Sequence, residues 1–305
     1  MKTVTVESGV CLGFGGTNAR KAICSGGDIT GYSSVETPTQ PRKFFGWMGR
    51  QVLDAAQAGN GWLVAGYPGP VSSDGKLVGP LTNVVGMARR QYNLREELIA
   101  TDPEVGRVLD QGFILLGEND GNLAAQAAAA RIGGHKYART GALILGTGVG
   151  SGVVDKDPNY SNVHRADSKH PYEIGHILLS DDPFDRFEDS FSGPGLERRY
   201  HANSRDLPAD HPAWRGVGRA VGRLSTTMSI MSGVDLIVPC GGVGSGASEK
   251  YAPHLEDFMD SYRKFGNGPQ QLFAPEIIPV PPEDCQVFEM FGAEGVVRDF
   301  LSRAD

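Results

Sequence analysis

Residues 4–24 read VTVESGVCLGF, GGTN, ARKAIC. An apolar stretch runs into a cluster of glycines and a second β-like stretch leaves it, which describes a strand, a tight turn and a returning strand. No helix-length segment follows the glycines, so this is a β-hairpin and not the opening of a βαβ unit. The same arrangement returns at 142–155 as ALIL, GTGVGSG and VVD. Two α/β halves, each opening on a glycine hairpin, argue for two lobes of related fold with a ligand between them. The boundary is placed near residues 117–120.

The intervening patterns fit such halves. Phe44–Ala58 has helical periodicity, and Gly61–Tyr67 is a short apolar strand stopped by Pro68-Gly69-Pro70. Gly112–Gly117 is another strand, and Glu118-Asn119-Asp120-Gly121 leads into an Ala-rich helix over 122–132. Helices are predicted over Pro194–His201 and Trp214–Ser232. A strand (VDLIVP), a glycine turn (CGGVGSGAS) and a helix over 249–265 follow, and the tail at 286–304 reads as helical.

The chain has 305 residues, a formal charge of -7 and 21% charged residues. That balance argues against a nucleic-acid binder, which needs a clustered basic surface. No stretch approaches the roughly 18 apolar residues of a membrane span, and the first residues lack a signal-peptide pattern. The four cysteines are scattered without metal-ligand spacing and read as reduced thiols. A cytoplasmic protein with neither membrane nor nucleic acid as partner is expected. The 42 glycines are about twice the usual share, and they gather beside strands, where backbone turns tightly or meets a ligand closely.

Five segments carry candidate chemistry. Gly13 to Asn18 could expose several backbone N–H groups to a phosphate beside the Thr17 hydroxyl, or be a plain glycine turn. Gly146-Thr147-Gly148-Val149-Gly150-Ser151-Gly152 has glycines at alternate positions, which weaken strand pairing and suit backbone approach to a polyanion. Asp120 could be a helix N-cap, or the base that takes a proton from an attacking hydroxyl. Glu173 and His176 could reach one polyol from a single turn, or form half of a metal site. Gly241-Gly242 would let an adenine ring lie against backbone. No P-loop sequence occurs, and the dinucleotide fingerprint fails at Asn18.

In this order the segments resemble the ROK sugar kinases and related bacterial glucokinases, of the actin-like, hexokinase-like ATPase superfamily. The resemblance spans nearly the whole chain. Gly15-Gly16-Thr17-Asn18-Ala19-Arg20 resembles the first phosphate motif, Tyr67-Pro68-Gly69-Pro70-Val71 the Pro-Gly-Pro-Val turn, and Leu81-Thr82-Asn83 its downstream segment. Asn119-Asp120-Gly121-Asn122 is similar to the motif bearing the catalytic Asp, and Gly146 to Gly150 to the second phosphate motif. Glu173-Ile174-Gly175-His176 resembles the sugar-binding Glu-x-Gly-His, Glu188 stands where a further sugar-binding Glu is placed, and Gly241-Gly242 falls at the adenosine motif.

The resemblance implies an α/β fold of two actin-like (ribonuclease H-like) lobes, with mixed sheets flanked by helices and an interlobe active-site cleft. It implies lobes at 1–118 with the tail 287–305, and at 119–286. It further implies an ATP-dependent hexose kinase that uses Mg²⁺, forms a homodimer and phosphorylates O6. Asp120 would be the base. Gly69, Asn83, Asn119, Glu173, His176 and Glu188 would hold the sugar. Gly15, Gly16, Thr17, Asn18, Thr147, Gly148, Gly150, Gly241 and Gly242 would hold ATP.

Two departures stand out. Residues 177–192 contain no cysteine, so the zinc knuckle frequent in the group is missing and no metal site is expected. The first phosphate motif ordinarily begins with an Asp that helps hold hydrated Mg²⁺, and that position is Gly13. The acid has to come from elsewhere, or the chain is a degenerate kinase that serves as a sugar-binding or sensor protein. On this reading Gly13→Asp separates a weakened kinase, which gains Mg²⁺-dependent rate, from a binding protein, which is inactive in both forms.

Overall fold

The computed structural model describes residues 7–81, 84, 86–133, 136–155, 174–179, 181, 185–265 and 274–302. They divide into two compact units: one holds 7–127 and 289–302, and the other holds the described residues of 128–288.

The first unit is built on a five-stranded sheet. Its strands are β1 (Ser8–Phe14), β2 (Asn18–Ser25), β3 (Asp28–Glu36) and β4 (Trp62–Tyr67). A two-stranded ladder of β5 (Leu77–Val78) and β6 (Tyr92–Asn93) intervenes before the fifth strand, β7 (Ile114–Asn119). The order is β3-β2-β1-β4-β7, with the first three antiparallel and β1, β4 and β7 parallel. Because β4 lies between two parallel neighbours and both its faces are covered, its sequence WLVAGY is apolar throughout and wholly buried. Leu63, Ala65 and Tyr67 pack with Phe44, Phe45, Met48 and Val52 of α1 (Pro41–Gln57). Trp62 and Val64 face the opposite way, onto Met290, Ala293, Val296 and Val297 at the C-terminal helix (Ala293–Ser302). Each large side chain buried in this way contributes about 1.5–3 kcal/mol.

Two short helices, α2 (Leu94–Thr101) and α3 (Pro103–Asp110), complete this unit's first face. Their starts are chemically marked: Asn93 Oδ1 accepts from Glu96 N, and Asp102 Oδ1 accepts from Glu104 N with Pro103 at the first helical position. Then α4 (Asp120–Ala128) leaves β7 and ends in a π-helical turn, Ala129–Gly133.

The second unit repeats the topology. Here β8 (Arg139–Leu145) and β9 (Val149–Asp155) form an antiparallel hairpin, and β10 (Leu236–Cys240) and β11 (Glu276–Ile277) extend the sheet in parallel, in the order β11-β10-β8-β9. Its helices are α5 (Phe187–Phe191), α6 (Gly193–Tyr200), α7 (Ala213–Ser232), α8 (Gly241–Gly244) and α9 (Ser248–Phe265). Trp214, Val217, Val221 and Leu224 of α7 form its core with Leu143, Leu145 and Val153 of the hairpin and Tyr251 and Leu255 of α9. The C-terminal helix of the first unit is α10.

Three details differ from the sequence expectation. The glycines at 150 and 152 do not interrupt pairing: β9 runs through them, with Gly150 opposite Ile144 and Gly152 opposite Ala142. The local weakness of glycine is overcome by a partner strand on which Leu143 and Leu145 are fully buried. The segment 241–244 is a short helix and not a plain turn. Strand β3 has no counterpart in the pattern, because its side chains are largely exposed and carry no alternating apolar signal.

Candidate functional site

In the first unit, strand register assembles the candidate residues. Parallel pairing sets Gly13 opposite Gly66 and Gly66 opposite Glu118. Strands β1, β4 and β7 therefore end at one edge of the sheet and release there, respectively, the glycine turn, Pro68-Gly69-Pro70 and Asp120. The carboxyl ends of parallel strands are where open α/β sheets bind ligands.

The glycine turn is braced from behind. Gly15 N donates to Asn18 O at 2.9 Å, Thr37 N to Thr17 O at 2.9 Å, and Thr37 Oγ1 to Gly15 O at 2.8 Å. Three carbonyl oxygens that would repel a phosphate are thus engaged by the protein's own donors, while Thr17 and Asn18 are exposed. At the end of β7, Asn119 is buried and donates through Nδ2 to Gly69 O at 3.0 Å. Its Oδ1 accepts from Gly121 N at 2.9 Å and Asn122 N at 3.3 Å, which makes Asn119 the cap of α4. Glu118 stiffens the same corner by accepting from Asn119 N and Asn122 Nδ2. Asp120 follows the capping residue, half-buried, and accepts from Gly121 N at 2.9 Å.

A salt bridge unforeseen in the sequence stands beside this turn. Arg20 Nη2 lies 2.6 Å from Glu289 Oε1, in side chains only 24% and 15% exposed. The Glu289 carboxylate raises the Arg20 pKa against the opposing effect of burial, with smaller contributions from Tyr32 and Asp120. A Cβ placed on Gly13 would lie 2.3 Å from Glu289 Oε1 and 3.5 Å from Arg20 Nη2. A side chain introduced at position 13 would therefore share that space with the Glu289 carboxylate.

In the second unit, the turn between β8 and β9 is closed by Gly146 N donating to Gly148 O at 2.9 Å, with Thr147 exposed at its tip. Four other segments pack onto this turn. Gly193 N, at the start of α6, donates to Gly146 O at 2.8 Å. Glu188 Oε2 accepts from Val149 N at 2.8 Å. Gly175, in the 3₁₀ turn Ile174–His176, lies so close that an added Cβ would meet Val149 O at 2.2 Å. Gly241, with φ of +85°, approaches from β10, its Cβ position 2.7 Å from Leu145 O. Beside Gly150 and Gly242 an added Cβ would meet nothing within 4 Å, so their backbone borders open space.

These features have relatives among known proteins. No protein-family model matches the chain. A fructokinase of Pediococcus pentosaceus is 24% identical over 135 residues, 39% of this chain and 45% of that protein, so the match spans less than half of the relative's length. Among solved structures, a ROK hexokinase from Thermus thermophilus is similar over 96% of this chain and 99% of its own, with TM-score 0.71 and 21% identity. A ROK family glucokinase from Streptomyces griseus, in complex with glucose and AMPPNP, is similar over 95% and 99%, with TM-score 0.72 and 16% identity. The fold is that of the ROK kinases.

Within this ROK fold the expected residues fall into two groups. Gly15, Gly16, Thr17, Asn18, Gly69, Asn119 and Asp120 lie at one edge of the first sheet. Thr147, Gly148, Gly150, His176, Glu188, Gly241 and Gly242 cluster around the turn of β8 and β9. Asn83 and Glu173 lie outside the described residues. Glu188 accepts from the backbone at the start of β9, next to the β8–β9 turn, a contact that spacing could not show. Arg20 and Glu289 were missed as partners, and no local signal could have paired residues 269 positions apart.

Proposed function

We propose that the chain is an ATP-dependent hexose kinase that transfers the γ-phosphoryl group to a sugar hydroxyl, O6 of a hexose. The observation that carries this reading is the register of β1, β4 and β7, which places a braced glycine turn and the Asp120 carboxylate at one sheet edge. Phosphoryl transfer asks for alignment, charge neutralisation and one positioned base. The sugar oxygen bonds to the γ-phosphorus, the bond to the ADP oxygen breaks, and the hydroxyl proton passes to Asp120. Asn119 fixes that carboxylate by capping α4 and holding the Gly69 carbonyl. His176, Glu188 and Glu173 are assigned to the sugar, and the turns at 15–18 and 146–150, with Gly241 and Gly242, to the nucleotide.

Magnesium would enter with ATP; among the described residues no group of three or more His, Cys, Asp or Glu side chains is placed to hold it without the nucleotide. When bound with ATP, the ion neutralises charge on the β- and γ-phosphates. Among the described residues no helix is long and apolar enough to cross a membrane.

Asp120→Asn tests the base. Turnover, read as coupled ADP release, should fall about 100- to 10,000-fold, with sugar affinity by calorimetry within a few-fold of wild type. Near-wild-type turnover would remove Asp120 from the role. A panel of hexoses and N-acetyl hexosamines, each with ATP or polyphosphate and Mg²⁺, defines the substrate. Sugar binding without ADP release from any of them would replace the kinase reading with a sugar-binding one.

A further inference from the structure

We propose that Gln126 and Asp299 are positioning residues for the Asp120 base: the hydrogen bond between them sets the direction and rotation of α4, and with these the place of the carboxylate at its start. The inference rests on the kinase reading, in which Asp120 takes the hydroxyl proton.

The case begins with the composition of α4. Past its first residues the helix reads LAAQAA, so Leu123 and Gln126 are large side chains among alanines. Every residue from Gly121 to Ala129 is buried. A helix buried on all sides is ordinarily held by side-chain ridges seated in its neighbours' grooves. Alanine makes shallow ridges, and a smooth helix turns or slides with little loss of packing. Asn119 tethers the start of α4 through the Gly69 carbonyl. One tether leaves the axis free to swing about it, so a second fixed point is needed further along.

Three glycines receive the helix and lead to that point. Leu123 Cδ2 lies 2.9 Å from the Cβ position of Gly66 on β4, and the Leu123 carbonyl oxygen lies 2.1 Å from that of Gly292. Gly292 ends the 3₁₀ turn Phe288–Gly292, which leads into α10. The Gln126 amide lies over Gly295, its Oε1 2.8 Å from the Cβ position there. Its Nε2 donates to Asp299 Oδ2 at 3.1 Å, between residues only 5% and 7% exposed. Helix α10 is itself held on the sheet face of Trp62 and Val64. Gln126 thus ties α4 to an element that the sheet already fixes. An amide or carboxyl group left without a partner at such depth is costly, so the pair favours one rotation of the helix over its neighbours.

Gln126 follows Asp120 by six residues, about 9 Å along the helix. A catalytic constellation tolerates about 10–20° of misorientation, and about 1 Å of displacement can cost about 100-fold in rate. A pair that removes a swing of that size acts on turnover without touching the substrate.

The test measures kcat by coupled ADP release with a hexose that wild type phosphorylates, and sugar and AMPPNP affinities by calorimetry. Gln126→Leu nearly keeps the volume and removes the donor. Its kcat should fall about 10- to 100-fold, with both affinities within a few-fold of wild type. Asp120→Asn should then cost less in this background than in wild type, because the base is already misplaced. The exchange Gln126→Glu with Asp299→Asn reverses donor and acceptor and should recover kcat to within a few-fold. Gly218→Ala, which crowds α7 against α9 in the other unit, should keep its kcat and serves as the destabilised control. Where thermal melting shows Gln126→Leu unfolded, Gln126→Asn, one methylene shorter, takes its place with the same expectation. A wild-type kcat in the folded variant, full additivity with Asp120→Asn, or no recovery in the folded exchange variant would overturn the proposal and leave the kinase reading intact. A wild type that releases no ADP with any hexose would instead remove the kinase reading, and the proposal with it.

Discussion

Val149 is gripped from two sides. Its N–H donates to Glu188, and its carbonyl faces a glycine at 175 whose added Cβ would lie 2.2 Å away and 2.8 Å from the Val149 Cβ. Because the obstacle is backbone at the first residue of β9, it cannot rotate aside. Gly175→Ala should shift the start of β9 and cost about 1–3 kcal/mol, and, on the proposed kinase reading, weaken AMPPNP binding at the adjacent turn. Melting temperature and nucleotide titration together check this; an unchanged pair of values would refute the close packing. The Glu-x-Gly-His pattern was legible in the sequence as a motif. The reason for its glycine was not, because it lies in a contact with a strand some 25 residues earlier.

Among the elements, α7 and α9 pack closely at two glycines one turn apart. At Gly218 an added Cβ would sit 2.8 Å from Leu255 N, Tyr251 O and the Cβ of His254. At Gly222 it would meet the Phe258 ring at 2.2 Å, and that ring is only partly buried and can turn. Alanine gains about 1 kcal/mol of helix propensity over glycine at either site. Gly222→Ala should therefore be near neutral, while Gly218→Ala loses about 1–3 kcal/mol net, since backbone must move. Urea unfolding midpoints decide the order, and a larger loss for Gly222→Ala would contradict it. The helix α7 itself was readable from apolar spacing. Helices α2 and α3 were passed over because each is eight residues long and short patterns carry little periodicity.

At the scale of the molecule, both units bury groups that must stay neutral. Burial pushes the Cys24 thiol up to about 12 and raises Cys11 well above its ordinary value, and Tyr67 of the same unit is raised likewise. Tyr251 is the counterpart in the second unit, raised by burial and, less, by Cys240. Unfolded, these groups lose protons near 9.0 for thiols and 10.0 for tyrosines. The folded state retains them, so the unfolded state gains by ionising as pH rises. Stability is full below about pH 9 and is lost progressively toward pH 12. Melting temperature should fall between about pH 8 and pH 10.5, and fall less in Cys24→Ala relative to its own value at pH 8. A flat profile would show that these groups ionise equally when folded.

The order of motifs, the two glycine hairpins and the main helices were determined by the sequence itself, because each depends on residues within a turn or a strand of one another. The ROK fold follows from that order, and the wholly apolar WLVAGY already marks a strand covered on both faces. The tertiary structure alone decided what fills the space at Gly13. Nothing near residue 13 encodes a carboxylate, and nothing near residue 289 encodes a glycine turn. They meet because α10 buries its apolar side on the same sheet whose first strand ends in the turn, and the missing Cβ of Gly13 leaves the room Glu289 takes.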